Sequence, residues 1–469
     1  MLIYKKYRFL FLLPLFACST SKKLTTTKII TVAPSVVASK NTINSIAIDY
    51  ADTHIEPIKT IPKTIDYKND YTENLFQDFK SNKYNLEETS HELASLENIS
   101  AKLNYGTSDP DTIQNPLDIS NCKLPEMMTR GDVGIGFPRI ANRMKSLGNL
   151  TINIVFVDFS DAVSTMTPQE VYSILTPYAE DYFKTVSYGK LNIEFKPNFK
   201  WNRMSKLSSE YGWNNLTFHL HKEYIQEAIN LADADIDFSN SDAFIIIANP
   251  DAIELKNGPA FTAYPGAGIT VDGKEFLSSA TSGHDLKFWG GLWFNHEFGH
   301  EMSLVDLYAY QGSGHRFVGE YSIMGLISCT GQDLFGWEKW ILGWLNDDQV
   351  ICANSGISTA LITPIETAGG TKLFTMPISN TAAIVVESRR AIGYDKKLPK
   401  TGPLVYIVDT NIPSGTGTIK ILPFDETDTN KLESPMVVGQ VIYYMNYSIK
   451  FVSTDIKGDL IEIKRIDIN

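Results

Sequence analysis

The chain has no excess of basic residues, few histidines and cysteines, and no long apolar run after its N-terminus. Its 42 Lys and Arg stand against 54 Asp and Glu, for a net charge of -12. No basic stripe interrupts that balance, so no nucleic-acid partner is expected. The one marked apolar stretch, "FLFLLPLFA" at 9–17, is too short to span a bilayer, which takes about 18 residues or more. Four cysteines permit few bridges. If the first is consumed at the N-terminus, the other three allow at most one internal disulfide. What is present is ordinary globular composition. The 43% apolar content supplies a sizeable core, and 11% aromatic residues exclude global disorder. The length of 469 residues suggests roughly two to four domains.

The N-terminus reads "MLIYKKYRFLFLLPLFACSTSKK". Lys5, Lys6 and Arg8 precede the apolar stretch, which ends at Leu15-Phe16-Ala17-Cys18. This resembles the lipobox of bacterial lipoproteins, with 1–17 as signal peptide and Cys18 as the lipidated residue. The resemblance implies an exported protein of the cell envelope or surface, held to a membrane by its lipid. An ordinary cleaved signal peptide is the alternative. Residues 18–65 are rich in Ser, Thr and Lys and read as a disordered tether. Residues 66–130 read as an N-terminal segment and a candidate pro-segment, helical over 72–104.

From 131 to about 350 strands and helices alternate. "NLTINIVFVDFSDA" is a buried strand. Residues 167–189 read as one helix, capped by Thr167 and stopped by Gly189. "KLNIEFKPNF" alternates as a strand, "KEYIQEAINLADA" is a helix, and "DAFIIIANP" is another buried strand. That order predicts an α/β (α+β) layer with a twisted mixed sheet. From 351 to 469 short strands such as "AAIVVESRR" and "PLVYIVDT" follow one another without a long helix. They predict an all-β, sandwich-like module.

The chemistry concentrates in "LWFNHEFGHEMSLVDLYAY", 292–310, in a chain with only 8 histidines. His296 and His300 are four apart and share one helix face, so both imidazoles can ligate one ion. Glu297 flanks them as a carboxylate able to take a proton from water. This is the pattern of zinc hydrolases. The competing reading is a pair of satisfied histidines on a buried helix. Burying His, Glu and His without compensation is costly, which counts against it. A catalytic zinc takes three protein ligands. Asp306, six residues after His300, is favoured for the third. Glu320 is the alternative and His315 comes after it.

"HEFGHEMSLVDLY" resembles the extended zinc motif of the immune inhibitor A family of secreted, metzincin-like metallopeptidases. That resemblance implies Zn²⁺ on His296, His300 and Asp306, with Glu297 as general base and acid. The family's glycine three residues after the second histidine is Ser303 here, where a left-handed turn would cost a serine more than a glycine. "VGEYSIMGLIS" resembles the family's Met-turn, with Met324 as an apolar floor. "DLFGWEKWILGWL" resembles the following helix. The resemblance spans roughly 130–411 and implies a zincin-type catalytic domain acting on a protein or peptide substrate.

Two further features are weaker. Asp158, Asp161 and Asp395 are candidate calcium ligands, although surface carboxylates usually face water. His219 and His221 read as a solvated pair. The positions of the cysteines favour a Cys122–Cys352 bridge across the ends of the catalytic region, with Cys329 left free near Met324. The rival to a peptidase is a surface adhesin or glycan-binding lipoprotein whose metal site is structural or vestigial. An open coordination position separates the two.

Overall fold

The apolar run at 149–158 folds as β1 (Gly148–Asp158), buried at every position from Ile152 onward. A strand apolar on both faces belongs inside a parallel sheet. β1 accordingly lies between β2 (Leu191–Arg203) and β3 (Ala243–Ala248), parallel to both. The structure, a computed structural model, describes residues 116–127, 132–354 and 356–466. The lipobox with Cys18, the tether at 18–65 and the helix expected over 72–104 lie outside those residues. Among the described residues no helix is long and apolar enough to cross a membrane.

Four short strands follow: β4 (Ala260–Thr262), β5 (Ile269–Val271), β6 (Lys274–Phe276) and β7 (Ser278–Thr281). The first sheet runs β2-β1-β3-β7-β4. β7 is parallel to β3, whereas β4 runs antiparallel to β7 and forms the edge. β5 and β6 pair separately.

The single helix expected over 167–189 is two, Pro168–Leu175 and Tyr178–Val186. Pro177 has no N–H to donate and disfavours helical backbone at Thr176, which is extended. Thr167 does cap the first helix, in a reciprocal box with Glu170. The second ends at Val186, before Gly189: Tyr188 takes the left-handed turn at φ +57°, and Gly189 follows it at φ +75° with its N–H donating to Lys184 O. The helix Phe218–Ala232 corrects the histidine pair. His219 is exposed beside Glu223, but His221 is buried against Thr281. Burial pulls the His221 imidazole down to about 4.

After Asn346 the chain builds β8 (Val350–Cys352), β9 (Ile357–Ile362), β10 (Leu373–Pro377), β11 (Ala382–Arg389), β12 (Gly402–Asp409) and β13 (Ile419–Ile421). β14 (Val441–Tyr444), β15 (Tyr447–Thr454) and β16 (Asp459–Arg465) complete it. One sheet runs β13-β12-β11-β10-β8 and another β14-β15-β16-β9. The described chain is thus mixed α/β, with several mixed sheets and few helices.

Sheet β13-β12-β11-β10-β8 is buried on both faces. Ile384, Val386, Val405 and Ile407 pack with Ile449, Phe451 and Ile461 from the four-stranded sheet. The alternate residues Ala383, Val385, Leu404 and Tyr406 enter the same core as Phe298, Met324 and Trp337. That core therefore crosses residue 350 without a break. Cys122 and Cys352 are bridged, with Cα atoms 5.7 Å apart, and Cys329 is free and buried.

Candidate metal centre

The His-Glu-His segment lies on the helix Gly291–Glu301, which enters through Gly290 at φ +52°. Aromatic packing fixes its roll. Phe294 and Phe298 stack at 5.0 Å, Phe298 also meets Phe183, and the Trp293 indole N–H donates to the Gly258 carbonyl at 2.6 Å. This leaves His296, Glu297 and His300 on the wall of a cleft of about 520 Å³.

The helix ends in a two-bond C-terminal turn. The Leu304 N–H donates to Gly299 O and the Ser303 N–H to His300 O, the paired bonds of a left-handed cap. Ser303 sits at φ +87°, so the turn forms even though serine holds the glycine position. Its hydroxyl is buried without a partner. An L-residue in this region costs roughly 1–2 kcal/mol. Ser303→Gly is therefore expected to raise stability by about 1 kcal/mol, net of glycine's greater freedom when unfolded. A urea midpoint that falls instead would contradict this account of the turn.

The turn brings Asp306 back beneath the histidines. Asp306 Oδ1 lies 3.1 Å from His300 Nε2 and 3.4 Å from His296 Nε2. Donor atoms on a tetrahedral zinc with bonds of about 2.0–2.1 Å stand roughly 3.3 Å apart, so this spacing fits such an ion. One ligand atom from each of the three residues falls within 4.8 Å of the others. Oδ1 is buried and makes no well-formed hydrogen bond. Each histidine has its other nitrogen committed: His296 Nδ1 to Ile323 O at 2.9 Å, His300 Nδ1 to Leu304 O at 2.8 Å. Donating Nδ1–H to a carbonyl fixes the tautomer that leaves Nε2 as the ligand atom.

Electrostatics reflect the crowding. Burial works against charge on His300, but Asp306 holds its imidazole up to about 9. Burial likewise opposes the Asp306 charge, and the two histidines outweigh it, so its carboxyl stays well below the usual carboxylate range. Burial raises Glu297, and the histidines offset only part of that. Glu297 Oε2 accepts the Ala260 N–H of β4 at 2.7 Å.

The other candidates separate. Glu320 accepts from the Thr330 N–H and hydroxyl and stays out of the triad. His315 lines the cleft but bonds Gly325 O through Nδ1. Met324 is fully buried, with its sulfur against Gly299, between the two histidines on the helix. The three candidate calcium ligands do not converge. Asp158 pairs with Arg203, Asp161 accepts from Ser208, and Asp395 pairs with Arg389.

Three contributors escape the sequence reading. The Tyr310 hydroxyl donates to Asp306 Oδ2 at 2.6 Å, and Ser414 Oγ accepts the Asp306 N–H at 3.0 Å. Asp285 lines the cleft and accepts the Gly258 and Gly283 N–H groups. Burial first, and then Glu297, push it up to about 6. Tyr310 had a local signal, four residues beyond Asp306. Ser414, in a Pro-Ser-Gly turn, had none. The edge strand matters as well. Pro259 O and Ala263 N–H bond toward β7 and its flank. Alternation then turns the backbone groups of Ala260 and Thr262 toward the cleft they line. The chain matches no family model and no curated protein, so side-chain geometry carries the functional reading.

Proposed function

We propose that this protein is an exported, zinc-dependent endopeptidase similar to the immune inhibitor A family. Its fold is read as a zincin-like catalytic unit followed by a β-sandwich. The observation that carries the proposal is the meeting of His296 Nε2, His300 Nε2 and Asp306 Oδ1 beside Glu297 on the wall of an open cleft. Among the described residues three donors meet, rather than four, which leaves room for a reacting group and favours a catalytic over a structural site. Zinc bound there supplies Lewis-acid polarisation of a carbonyl and acidifies water.

The chain's own groups do the rest. Apart from the Ala260 N–H, which Glu297 accepts, the outward backbone of β4 offers an edge on which an extended peptide can pair. Glu297, tied to Ala260 of that edge, removes a proton from the attacking water and returns it to the departing amine. Its buried position raises its affinity for that proton. The Ile323 and Leu304 carbonyls hold both imidazoles in their ligating tautomer. Export by the signal peptide at 1–17 and anchoring through a lipid on Cys18 belong to the same proposal. A Cys122–Cys352 bridge suits an oxidising compartment.

Incubating the purified mature protein with a diverse peptide library tests this. Cleavage should stop with a chelator and return with zinc, at about one zinc per chain. Cleavage that survives complete metal removal, or a protein that binds no zinc, would refute it.

A further inference from the structure

Asp306 is the ligand whose placement owes most to the far end of the chain. Its amide N–H donates to Ser414 Oγ at 3.0 Å, its hydroxyl neighbours Ser414 and Tyr310 stand 3.0 Å apart, and the Tyr310 hydroxyl reaches Asp306 Oδ2 at 2.6 Å. The directions follow from the chemistry. An ionised carboxylate only accepts, so Tyr310 donates to Oδ2. The Tyr310 oxygen then accepts from the Ser414 hydroxyl, whose oxygen accepts the Asp306 N–H. The three groups close a ring in which each hydroxyl donates once and accepts once. Such rings polarise cooperatively.

The ring decides which carboxylate oxygen meets the histidines. Oδ2 is engaged by Tyr310, and Oδ1 is left facing both Nε2 atoms. Two backbone bonds clamp the same loop: the Gly415 N–H to Asp306 O, and the Tyr310 N–H to Gly415 O, both at 3.0 Å. Ser414 and Gly415 belong to the connection between β12 and β13. They therefore come from the C-terminal sheet rather than from the segment that carries the ligands.

We infer that Ser414 is a positioning residue for the metal centre, acting through Tyr310 to hold the Asp306 carboxylate in its ligating orientation. The inference rests on the zinc reading above. Groups that orient a metal ligand typically change metal affinity by 10–100-fold when removed. Ser414→Ala leaves the buried Asp306 N–H without its acceptor and breaks the ring at two points. Ser414→Thr keeps the hydroxyl.

The test is zinc affinity of the full mature chain, by competition with a chromophoric chelator. The visible spectrum of the cobalt-substituted protein gives a second readout, of ligand geometry. Ser414→Ala should bind zinc 10–100-fold more weakly with an altered cobalt spectrum, and Ser414→Thr should restore both. Tyr310→Phe, at a site 47% exposed, keeps the fold testable if Ser414→Ala does not accumulate. It should weaken zinc binding in the same range. The double variant should lose less than the two single losses combined, because both act through one carboxylate. Wild-type zinc affinity and cobalt spectrum in both single variants would overturn the positioning role while leaving the zinc site intact. A wild-type chain that binds no zinc would overturn both.

Discussion

Glu297→Gln is expected to lower kcat by ~10²–10⁴-fold or more while zinc content stays at the wild-type level. The two halves of that result have separate causes. The amide oxygen of glutamine can still accept the Ala260 N–H that now reaches Glu297 Oε2 at 2.7 Å, so the side chain keeps its place on the cleft wall. Metal ligation is expected to be unaffected, because the proposed donors are His296, His300 and Asp306. What disappears is proton affinity. Burial raises the Glu297 carboxyl above its ordinary value even with two histidines beside it, which makes it a stronger base than a solvated carboxylate. An amide cannot take a proton from water at neutral pH. Atomic absorption and steady-state kinetics on the same preparation decide the matter. Undiminished turnover would remove Glu297 from the mechanism, and lost zinc would make it a structural part of the site.

Much of this centre was legible because its pattern is local. The spacing of His296 and His300 needs only one helix. Asp306 needs only a chain reversal just after it, and that reversal forms with Ser303 at φ +87°. The Thr167 cap and the buried strands β1 and β3 are likewise written in short windows. The misses share a different cause. Pro177 broke a helix whose apolar period continues through it, because periodicity does not register a missing N–H. His221 looked equivalent to His219 until the helix roll buried one against Thr281 and exposed the other. Ser414 acts across 108 residues, and Ile323 orients His296 through a backbone carbonyl. Neither leaves a trace in side-chain spacing. The boundary near 350 marks a real change of texture, from alternating helices and strands to strands alone. Texture does not reveal that sheet β13-β12-β11-β10-β8 is apolar on both faces and shares a core with Trp337 and Phe298.

That shared core leads to the second large effect. A chain ending at residue 350 is expected neither to fold nor to bind zinc, despite retaining His296, Glu297, His300 and Asp306. Val385, Leu404, Val408, Ile419 and Ile421 are buried in the same core as Phe294 and Phe298 of the His-Glu-His helix and Met324. Each contributes about 1.5–3 kcal/mol by leaving water, together roughly the whole stability of a typical domain, about 5–15 kcal/mol. Polar losses add to this. The fully buried Arg389 pairs with Glu387 and Asp395, and donates to the carbonyls of Asp333 and Leu334. Deletion removes those donors and the Cys352 half of the bridge to Cys122. It also removes Ser414 from beside Asp306. The truncated protein should show no cooperative thermal transition, little near-ultraviolet circular dichroism and no stoichiometric zinc. Recovering it soluble, cooperatively folded and zinc-loaded would mean that the C-terminal sheets only rest on an independent catalytic unit. The Ser414–Tyr310–Asp306 ring would then be dispensable as well.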